Sequence, residues 1–259
     1  MFVALFATLV LGGCAADGSS PDKQPTELGW SPSSESEWTA LFNGNNLDHW
    51  TFRSDAAKQV WSVKDGVIDC SPQVLPRGED KHLWTKEEFG DFQLRLEWRL
   101  TDTKGGAHGM RWIQPDGSPK TNDEGEAITI RRRNADSGLY LRGTQQVQTN
   151  IWNWPVGSGE VYRYRTDESL PDSVRSAVTP EVRADRPIGE WNTFVITMEG
   201  ENLTVVLNGQ TVIDKAPLPG VPAKGAIALQ HHGGYNSDTD SWSSASSLVQ
   251  FRDIYVKRL

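Results

Sequence analysis

The chain has little cysteine, little methionine and no excess of positive charge. Its 259 residues include 2 Cys and 3 Met, and 34 acidic side chains outnumber 26 basic ones, so the formal net charge is -8. Nucleic-acid binding depends on a basic field that releases counterions, so this balance argues against a nucleic-acid partner. Because the thiol of Cys14 is expected to carry a lipid, Cys70 has no disulfide partner and is expected to be a small buried apolar side chain.

Long hydrophobic runs are also lacking. The apolar segment 1–13 is too short to span a bilayer and ends in small residues, which is typical of a signal peptide. Leu11-Gly12-Gly13-Cys14 resembles a bacterial lipobox, which implies cleavage before Cys14 and lipidation of its thiol. We therefore expect a lipid-anchored protein of the bacterial cell envelope that faces the periplasm or the exterior. The alternative is an ordinary apolar N-terminus.

Motifs for metals, phosphate and paired carboxylates are absent from the sequence. The five His residues have no ligand spacing, and no glycine-rich loop follows a strand and opens a helix. No Glu-x-Asp-x-x-Glu run supplies the acid pair of a direct two-carboxylate glycosidase. Asp238 and Asp240 lie in a serine-rich segment, but no ligand motif supports calcium there. The sequence thus predicts no metal and no cofactor.

Tryptophan, glycine and proline, by contrast, are plentiful. The chain has 11 Trp, 24 Gly and 14 Pro, which is unusual for a helical protein and typical of β-rich folds that present aromatic surface to sugars. Residues 14–37 are mainly Ser, Pro, Asp, Gly and Glu, the composition of a flexible tether behind Cys14. The folded domain is therefore expected to span residues 38–259.

Within this domain, apolar and polar residues alternate in short runs, as in strands with one buried face. Asp91–Thr101 is the clearest run, and Asp65-Gly66 and Asn208-Gly209 predict two-residue hairpin turns. About ten to thirteen such runs predict an all-β fold, a two-sheet antiparallel jelly-roll sandwich. Two stretches break the pattern. Residues 102–134 are predicted to be a long irregular connection, and residues 166–187 to hold at most a short helical turn.

Ordered motifs span nearly the whole domain. They are Leu41-Phe42-Asn43-Gly44, Trp61-Ser62-Val63, Asp65-Gly66-Val67-Ile68, Phe89-Gly90-Asp91-Phe92, Ser137-Gly138-Leu139-Tyr140, Gly189-Glu190-Trp191-Asn192, Leu207-Asn208-Gly209, Gln230-His231-His232-Gly233 and Val249-Gln250-Phe251-Arg252-Asp253-Ile254. In this order they resemble the 3-keto-disaccharide hydrolase domain family. The resemblance implies a concanavalin A-like sandwich with a sugar groove on its concave face, and cleavage of glycosides whose sugar carries a ketone at C3. The chain departs from the family pattern at 102–134 and 151–155, so the identity of the substrate does not carry over.

Strand alternation also groups polar and aromatic residues into faces. Such faces occur in residues 137–142, 146–152, 160–164 and 226–232. Glu97 and Arg99 form another on the Asp91–Thr101 strand, because residues two apart point the same way. If all these faces belong to one concave sheet, they form a wall of carboxylate, guanidinium, amide, imidazole and aromatic groups.

Cleavage of a 3-keto sugar requires groups of these kinds. The ketone acidifies the C2 proton, so a base can remove it, the enolate can expel the C1 oxygen, and water can then add back. We expect His232 to be the base, because imidazole titrates near neutral pH. Arg142 is expected to bind the enolate oxygen, and Glu160 or Glu97 to protonate the leaving oxygen. The residues expected to bind the 3-keto sugar or oligosaccharide are Arg99, Tyr140, Gln148, Trp152, Asn153, Trp154, Tyr162 and Gln230.

Each assignment has a structural alternative. His232 could simply end a strand at the rim of the sheet, and Arg142 could cap a loop carbonyl. Glu97 and Arg99 could be salt-bridge partners, and the tryptophans could be core residues. The alternative function is a surface lipoprotein that holds glycan by aromatic stacking and performs no chemistry. Convergence of Glu160, Arg142 and His232 in one pocket would favour the enzyme.

Overall fold

The computed structural model describes residues 37–74, 78–243 and 245–259. The leader 1–13, the lipidation of Cys14 and the tether up to residue 36 lie outside these residues and stay predictions. Within the described ranges, no helix has both the length and the apolar character needed to cross a membrane.

The described residues form strands with only short helical pieces between them. In chain order these are β1 (Thr39–Ala40), β2 (Trp50–Phe52), a 3-10 turn (Ala57–Gln59), β3 (Trp61–Lys64), β4 (Val67–Cys70), β5 (Leu83–Phe89), β6 (Phe92–Leu100), β7 (Lys104–Arg111), β8 (Thr129–Leu141), β9 (Thr144–Trp152), α1 (Tyr162–Arg165), α2 (Asp172–Ala177), β10 (Asn192–Glu199), β11 (Asn202–Leu207), β12 (Gln210–Pro217), β13 (Gly225–Leu229), β14 (Tyr235–Asn236), β15 (Ser241–Trp242), β16 (Ala245–Ser246) and β17 (Val249–Arg258).

The first sheet has eight strands, in the order β12-β11-β10-β6-β17-β4-β3 with β1 also paired to β17. All its pairs are antiparallel. The hairpins β3–β4 and β11–β12 turn at Asp65-Gly66 and Asn208-Gly209, with φ of 50° and 78° and of 51° and 82°. Positive φ at both central residues matches the twist of hairpin strands, so both turns form where the sequence predicted them.

The second sheet has seven strands, in the order β16-β8-β13-β5-β2 with β7 and β9 also paired to β8. Its pairs are antiparallel except for the short parallel pair of β16 with β8. The predicted all-β sandwich of two antiparallel sheets is confirmed, with this one pair as the exception.

The core lies between the two sheets. Leu96 and Trp98 of β6 and Leu139 and Leu141 of β8 are at most 1% exposed and belong to one cluster of buried side chains. Each such burial contributes about 1.5–3 kcal/mol. Because side chains alternate along a strand, the residues of β8 between these leucines point away from the core. The outward face of the second sheet is therefore available for a site.

Residues 102–134, which we call the arm, form a β-hairpin, so the irregular connection predicted there is wrong. Strand β7 pairs with the first half of β8, and the pairing continues beyond β7 as the Trp112 amide donates to the Ile128 carbonyl at 3.0 Å. The alternation signal fails here because consecutive glycines and mostly exposed side chains remove the buried apolar face by which a strand is recognised.

The predicted strand face of residues 160–164 is also wrong, because α1 occupies Tyr162–Arg165. Helical geometry turns residues two apart to different sides, so Tyr162 is 41% exposed while Tyr164 is 7% exposed. Helix α2, Asp172–Ala177, agrees with the short helical turn predicted for 166–187. Cys70 is buried, as predicted, and burial raises the pKa of its thiol well above the ordinary value.

Candidate active site

A cavity of about 880 Å³ lies on the outward face of the second sheet. Its walls come from β8, β9, α1 and the segments that precede β5 and follow β13. The lining includes Lys81, His82, His108, Asn134, Asp136, Tyr140, Gln148, Asn150, Trp152, Trp154, Tyr162, Arg163, Gln230, His231 and His232. Across the described part of the chain, no group of three or more His, Cys, Asp or Glu is placed to hold a metal ion.

Strand β8 supplies one wall, because Asp136 and Tyr140 occupy its outward positions. Gly138 lies between them, and a Cβ there would lie 2.8 Å from Gln148 Nε2, so the glycine makes room for that side chain. Gln148 Nε2 donates to Gln230 Oε1 at 2.7 Å, and Gln230 Nε2 donates to the Tyr140 hydroxyl at 2.9 Å. This chain of hydrogen bonds fixes the orientation of three polar side chains at the cavity.

One buried hydroxyl links the backbones of His232 and Asp136. Ser247 accepts a hydrogen bond from the His232 amide at 2.6 Å and donates to the Asp136 carbonyl at 2.8 Å. His232 Nδ1 lies 3.3 Å from the Ala245 carbonyl oxygen. A carbonyl only accepts, so Nδ1 carries the proton in this contact and Nε2 keeps its lone pair. This tautomer makes Nε2 the basic atom of His232.

The pKa of the Asp136 carboxyl is shifted toward neutral pH. Burial raises the pKa of Asp136 from 3.8 to about 6, although the charge of protonated His232 acts in the opposite direction. No Lys or Arg forms an ion pair with Asp136 within the described ranges. A carboxyl that is half protonated near pH 6 can both donate and accept a proton under physiological conditions.

His82 and Tyr140 meet edge to face, with ring centroids 4.8 Å apart. The His231 amide donates to His82 Nδ1 at 3.2 Å, so Nε2 carries the proton of the His82 ring. Burial lowers the pKa of His82 to about 4 and raises the pKa of Tyr140 to about 12. Both side chains are therefore uncharged hydrogen-bond donors at pH 7.

Aromatic rings form a further part of the wall. Trp152 and Trp154 are stacked, with centroids 4.5 Å apart and an interplanar angle of 11°, and Tyr162 meets Trp152 edge-on at 6.1 Å. Trp152 Nε1 donates to the Gly157 carbonyl at 2.6 Å, which fixes the ring. Trp152 is 3% exposed and packs with Ile113 and Val156, so the core alternative is correct for this ring, and it is the partly buried Trp154 that offers a flat surface suited to the apolar face of a sugar.

Seven residues predicted from the sequence line this cavity. They are Tyr140, Gln148, Trp152, Trp154, Tyr162, Gln230 and His232. The other five predicted residues are not part of its lining; these are Glu97, Arg99, Arg142, Asn153 and Glu160. The convergence of Glu160, Arg142 and His232 that would favour an enzyme does not occur, and a different set of groups surrounds His232.

Arg142 has the structural role that its alternative assignment described. Arg142-Gly143 is the two-residue turn between β8 and β9, with φ of 51° and 74°, so the strand alternation ends before it. The Arg142 side chain is 1% exposed and donates to three backbone carbonyls and to the Asp91 carboxylate. The predicted enolate clamp is therefore wrong for Arg142.

Glu97 and Arg99 lie on the first sheet, on the side away from the core. Glu97 accepts from Arg95 at 3.1 Å and from Arg252 at 2.8 Å, while Arg99 donates to Gln250 Oε1 at 2.8 Å. The core separates these side chains from the cavity, so the predicted acid and sugar contacts are wrong. The alternative of a salt bridge is correct for Glu97, but its partners are Arg95 and Arg252 and not Arg99. Alternation shows which residues share a face, but not which sheet the face belongs to.

Glu160 and Asn153 serve the structure around the cavity. Glu160 is fully buried and forms an ion pair with Arg165, and burial raises the pKa of its carboxyl. The Asn153 side chain accepts from the Ala135 amide at 3.2 Å and donates to the Arg133 carbonyl at 3.1 Å. Both residues come after the end of β9, where extended geometry stops and the alternation no longer assigns a face.

Sequence reasoning missed Asp136 and His82. Asp136 lies two residues before Gly138, so following the alternation of β8 one step toward its N-terminus would have placed it on the cavity face. His82 precedes β5, and no local pattern identifies it because its tautomer depends on the distant His231 amide.

Comparison with known proteins agrees with this architecture. Two solved structures of candidate glycosyl hydrolases from Parabacteroides distasonis align with 86% of this chain, at TM-scores of 0.53 and 0.50 and identities of 20% and 17%. The alignments cover 84% and 95% of those chains, and at such identities the likeness concerns the fold alone. No curated protein sequence matches the chain.

A family model described as a 3-keto-alpha-glucoside-1,2-lyase-like domain matches residues 37–257. The chain therefore belongs to the 3-keto-alpha-glucoside-1,2-lyase-like domain family, a membership that supports a carbohydrate-processing function.

Proposed function

We propose that this protein is an enzyme that cleaves 3-keto-glycosides by eliminating the C1 substituent and then hydrating the product. The observation that carries the proposal is that His232 and Asp136 line one cavity, with their backbones held together by the Ser247 hydroxyl. A module that only binds glycan has no use for a carboxyl whose pKa is raised to about 6 beside an imidazole.

In the first step His232 Nε2 takes the proton from C2, and the electron pair of the C–H bond forms the enolate of the C3 ketone. The electrons then return to form a C1–C2 double bond as the C1–O bond breaks. Asp136 in its protonated form supplies the proton to the departing oxygen. A positioned base such as His232 and a positioned acid such as Asp136 each raise the rate by about 10²–10⁴-fold.

In the second step water adds to C1 of the conjugated ketone. Asp136, now a carboxylate, accepts a proton from that water, and protonated His232 returns a proton to C2. The two groups end in their starting states, so elimination followed by hydration sums to hydrolysis. The raised pKa of Asp136 suits this exchange of roles, because both of its protonation states are populated near pH 6.

The enolate oxygen needs hydrogen-bond donors, and His82 and Tyr140 take the role that Arg142 cannot fill. Both line the cavity, both are neutral, and His82 has its donor proton on Nε2. Neutral donors fixed before the reaction stabilise developing negative charge without first having to be reoriented. The sugar ring stacks on the Trp152 and Trp154 side of the cavity.

The test compares each anomer of a 4-nitrophenyl 3-keto-glucoside with its unoxidised parent. We expect release of 4-nitrophenol from a 3-keto substrate only, and deuterium at C2 of the product when the reaction runs in heavy water. Because a ketone promotes exchange by itself, product incubated without enzyme is the control. Equal cleavage of the parent would exclude C2 proton removal, and binding of both sugars without turnover would show a binding module.

A further inference from the structure

A second cleft, of about 360 Å³, lies beneath the arm and is separate from the catalytic cavity. Its lining is mainly apolar and includes Trp112, Ile113, Ile130, Pro155, Val156 and Val182. Trp112 and Val182 are each 40% exposed. Exposed apolar side chains gathered in a concave surface, rather than scattered singly, are typical of a ligand site.

One end of this arm cleft is cationic. Arg132 and Arg183 line both the cleft and a neighbouring cavity of about 110 Å³. Burial, together with the charge of nearby Arg183, lowers the pKa of Arg132. Two guanidinium groups that raise each other's energy are stabilised by an anion placed between them.

The smaller cavity also contains donors that have no acceptor. Trp98 is 1% exposed and lines this cavity, and its Nε1 has no hydrogen-bond partner among the described residues. Arg132 Nε is likewise buried without a partner in that part of the chain. Unpaired buried donors are uncommon and costly, and an oxyanion is the ligand that accepts from both kinds of group.

Acidic side chains do not cancel this charge. Asp185 accepts from the Ser158 amide at 3.1 Å and lies 3.8 Å from Arg183 Nε, and Glu181 lines the apolar cleft. Against these two carboxylates stand Arg132, Arg183 and also Arg186, which lines the smaller cavity. The site therefore keeps a net positive charge at the end where the arm cleft meets the smaller cavity.

We propose that the arm cleft binds a small aromatic carboxylate. Its ring lies against Trp112 and Val182, and its carboxylate lies between Arg132 and Arg183. The catalytic residues take no part in this site, so the inference does not depend on the proposed function.

The test uses three probes on the full chain: 1-anilinonaphthalene-8-sulfonate, its uncharged counterpart N-phenyl-1-naphthylamine, and sulfate. The sulfonate probe should bind saturably and be displaced by 2-naphthoate. Arg183→Ala should weaken the sulfonate probe about tenfold, as expected for loss of one charge-assisted contact, and leave the uncharged probe unchanged. Trp112→Ala should weaken both aromatic probes.

Arg111→Ala is the matched control, because Arg111 is exposed on the same arm and outside the cleft lining. It should leave all three affinities unchanged, and far-ultraviolet circular dichroism checks that each variant folds. The proposal fails if both aromatic probes bind equally well and ignore Arg183→Ala. It also fails if sulfate binds as tightly as the sulfonate probe, which would show a simple anion site, or if Trp112→Ala has no effect.

Discussion

The outward faces of the two sheets differ in how their charged side chains are paired. On the first sheet, Glu97 lies between Arg95 and Arg252 at 3.1 and 2.8 Å. On the second sheet, Asp136 has no Lys or Arg partner among the ion pairs of the described residues and faces a cavity that it shares with His232.

The contrast shows why sequence alternation overestimates sites. A charge whose partner lies on the neighbouring strand is already satisfied, and it contributes to register rather than to chemistry. A charge left in a cavity without such a partner has a shifted pKa and is available to a substrate. The experiments below test whether this distinction predicts the behaviour of each face.

The largest expected effect is on catalysis. His232→Ala should lower kcat on a 3-keto-glycoside by about 10²–10⁴-fold with little change in KM, because it removes the proposed base but not the aromatic wall. Glu97→Gln, on the outward face of the first sheet, should stay within about twofold of wild type. Steady-state kinetics measures both. Near-wild-type activity of His232→Ala would remove His232 from the base role.

The second prediction concerns Arg142, which alternation had assigned to the cavity face. Arg142→Ala deprives the Gly90, Gly200 and Pro222 carbonyls of a donor, so the free energy of unfolding should fall by about 3 kcal/mol. Urea unfolding measures this loss. The folded fraction should keep wild-type kcat, whereas a selective loss of kcat with unchanged stability would restore the enolate clamp.

The third prediction concerns the pH dependence of Asp136. Its folded pKa of about 6 lies above its ordinary value of 3.8, so the folded state binds the proton more tightly and loses stability as pH rises through this interval. At pH 7 the free energy of unfolding measured in urea should therefore be higher for Asp136→Asn than for wild type by about 3 kcal/mol, and the difference should vanish below about pH 3.

The same substitution should lower activity, because amide nitrogen cannot exchange a proton as the carboxyl does. Asp214→Asn, on the exposed surface of β12, is the control and should change neither property. A variant that is less stable than wild type at pH 7 would contradict the conclusion that ionisation of Asp136 lowers stability.

The smallest effect is expected on the paired face. Glu97→Gln should lower the free energy of unfolding by about 1 kcal/mol, because the amide oxygen still accepts from the nearly buried Arg95 and the other partner, Arg252, is partly exposed. Because Arg252 is 39% exposed, a double-mutant cycle with Arg252→Gln should give a coupling of about 0.5 kcal/mol. A coupling energy several times larger would contradict the view that the ion pairs on the first sheet contribute little.

Much of the fold could be predicted because its signals are local. Alternation along β6 and the two-residue turns at Asp65-Gly66 and Asn208-Gly209 depend only on neighbouring residues. The arm escaped prediction because its strands are largely exposed and have no apolar face to reveal them.

The site was predicted only where a strand face coincided with a cavity wall. Tyr140, Gln148 and Gln230 were found in this way. Arg142 and Glu97 were misplaced because alternation identifies neither the end of a strand nor the sheet to which it belongs. His82 was missed because its role arises from a contact with a segment far along the chain.

Strand β17 has a further consequence for how the protein is made. It lies in the middle of the first sheet, between β6 and β4, although it is the strand synthesised after all the others described here. The residues just before it supply the Ala245 carbonyl and the Ser247 hydroxyl that hold His232. A nascent chain therefore cannot close the sheet or complete the surroundings of His232 until residue 258 has left the ribosome. Until then β6 and β4 present open edges, which are templates for pairing with other chains.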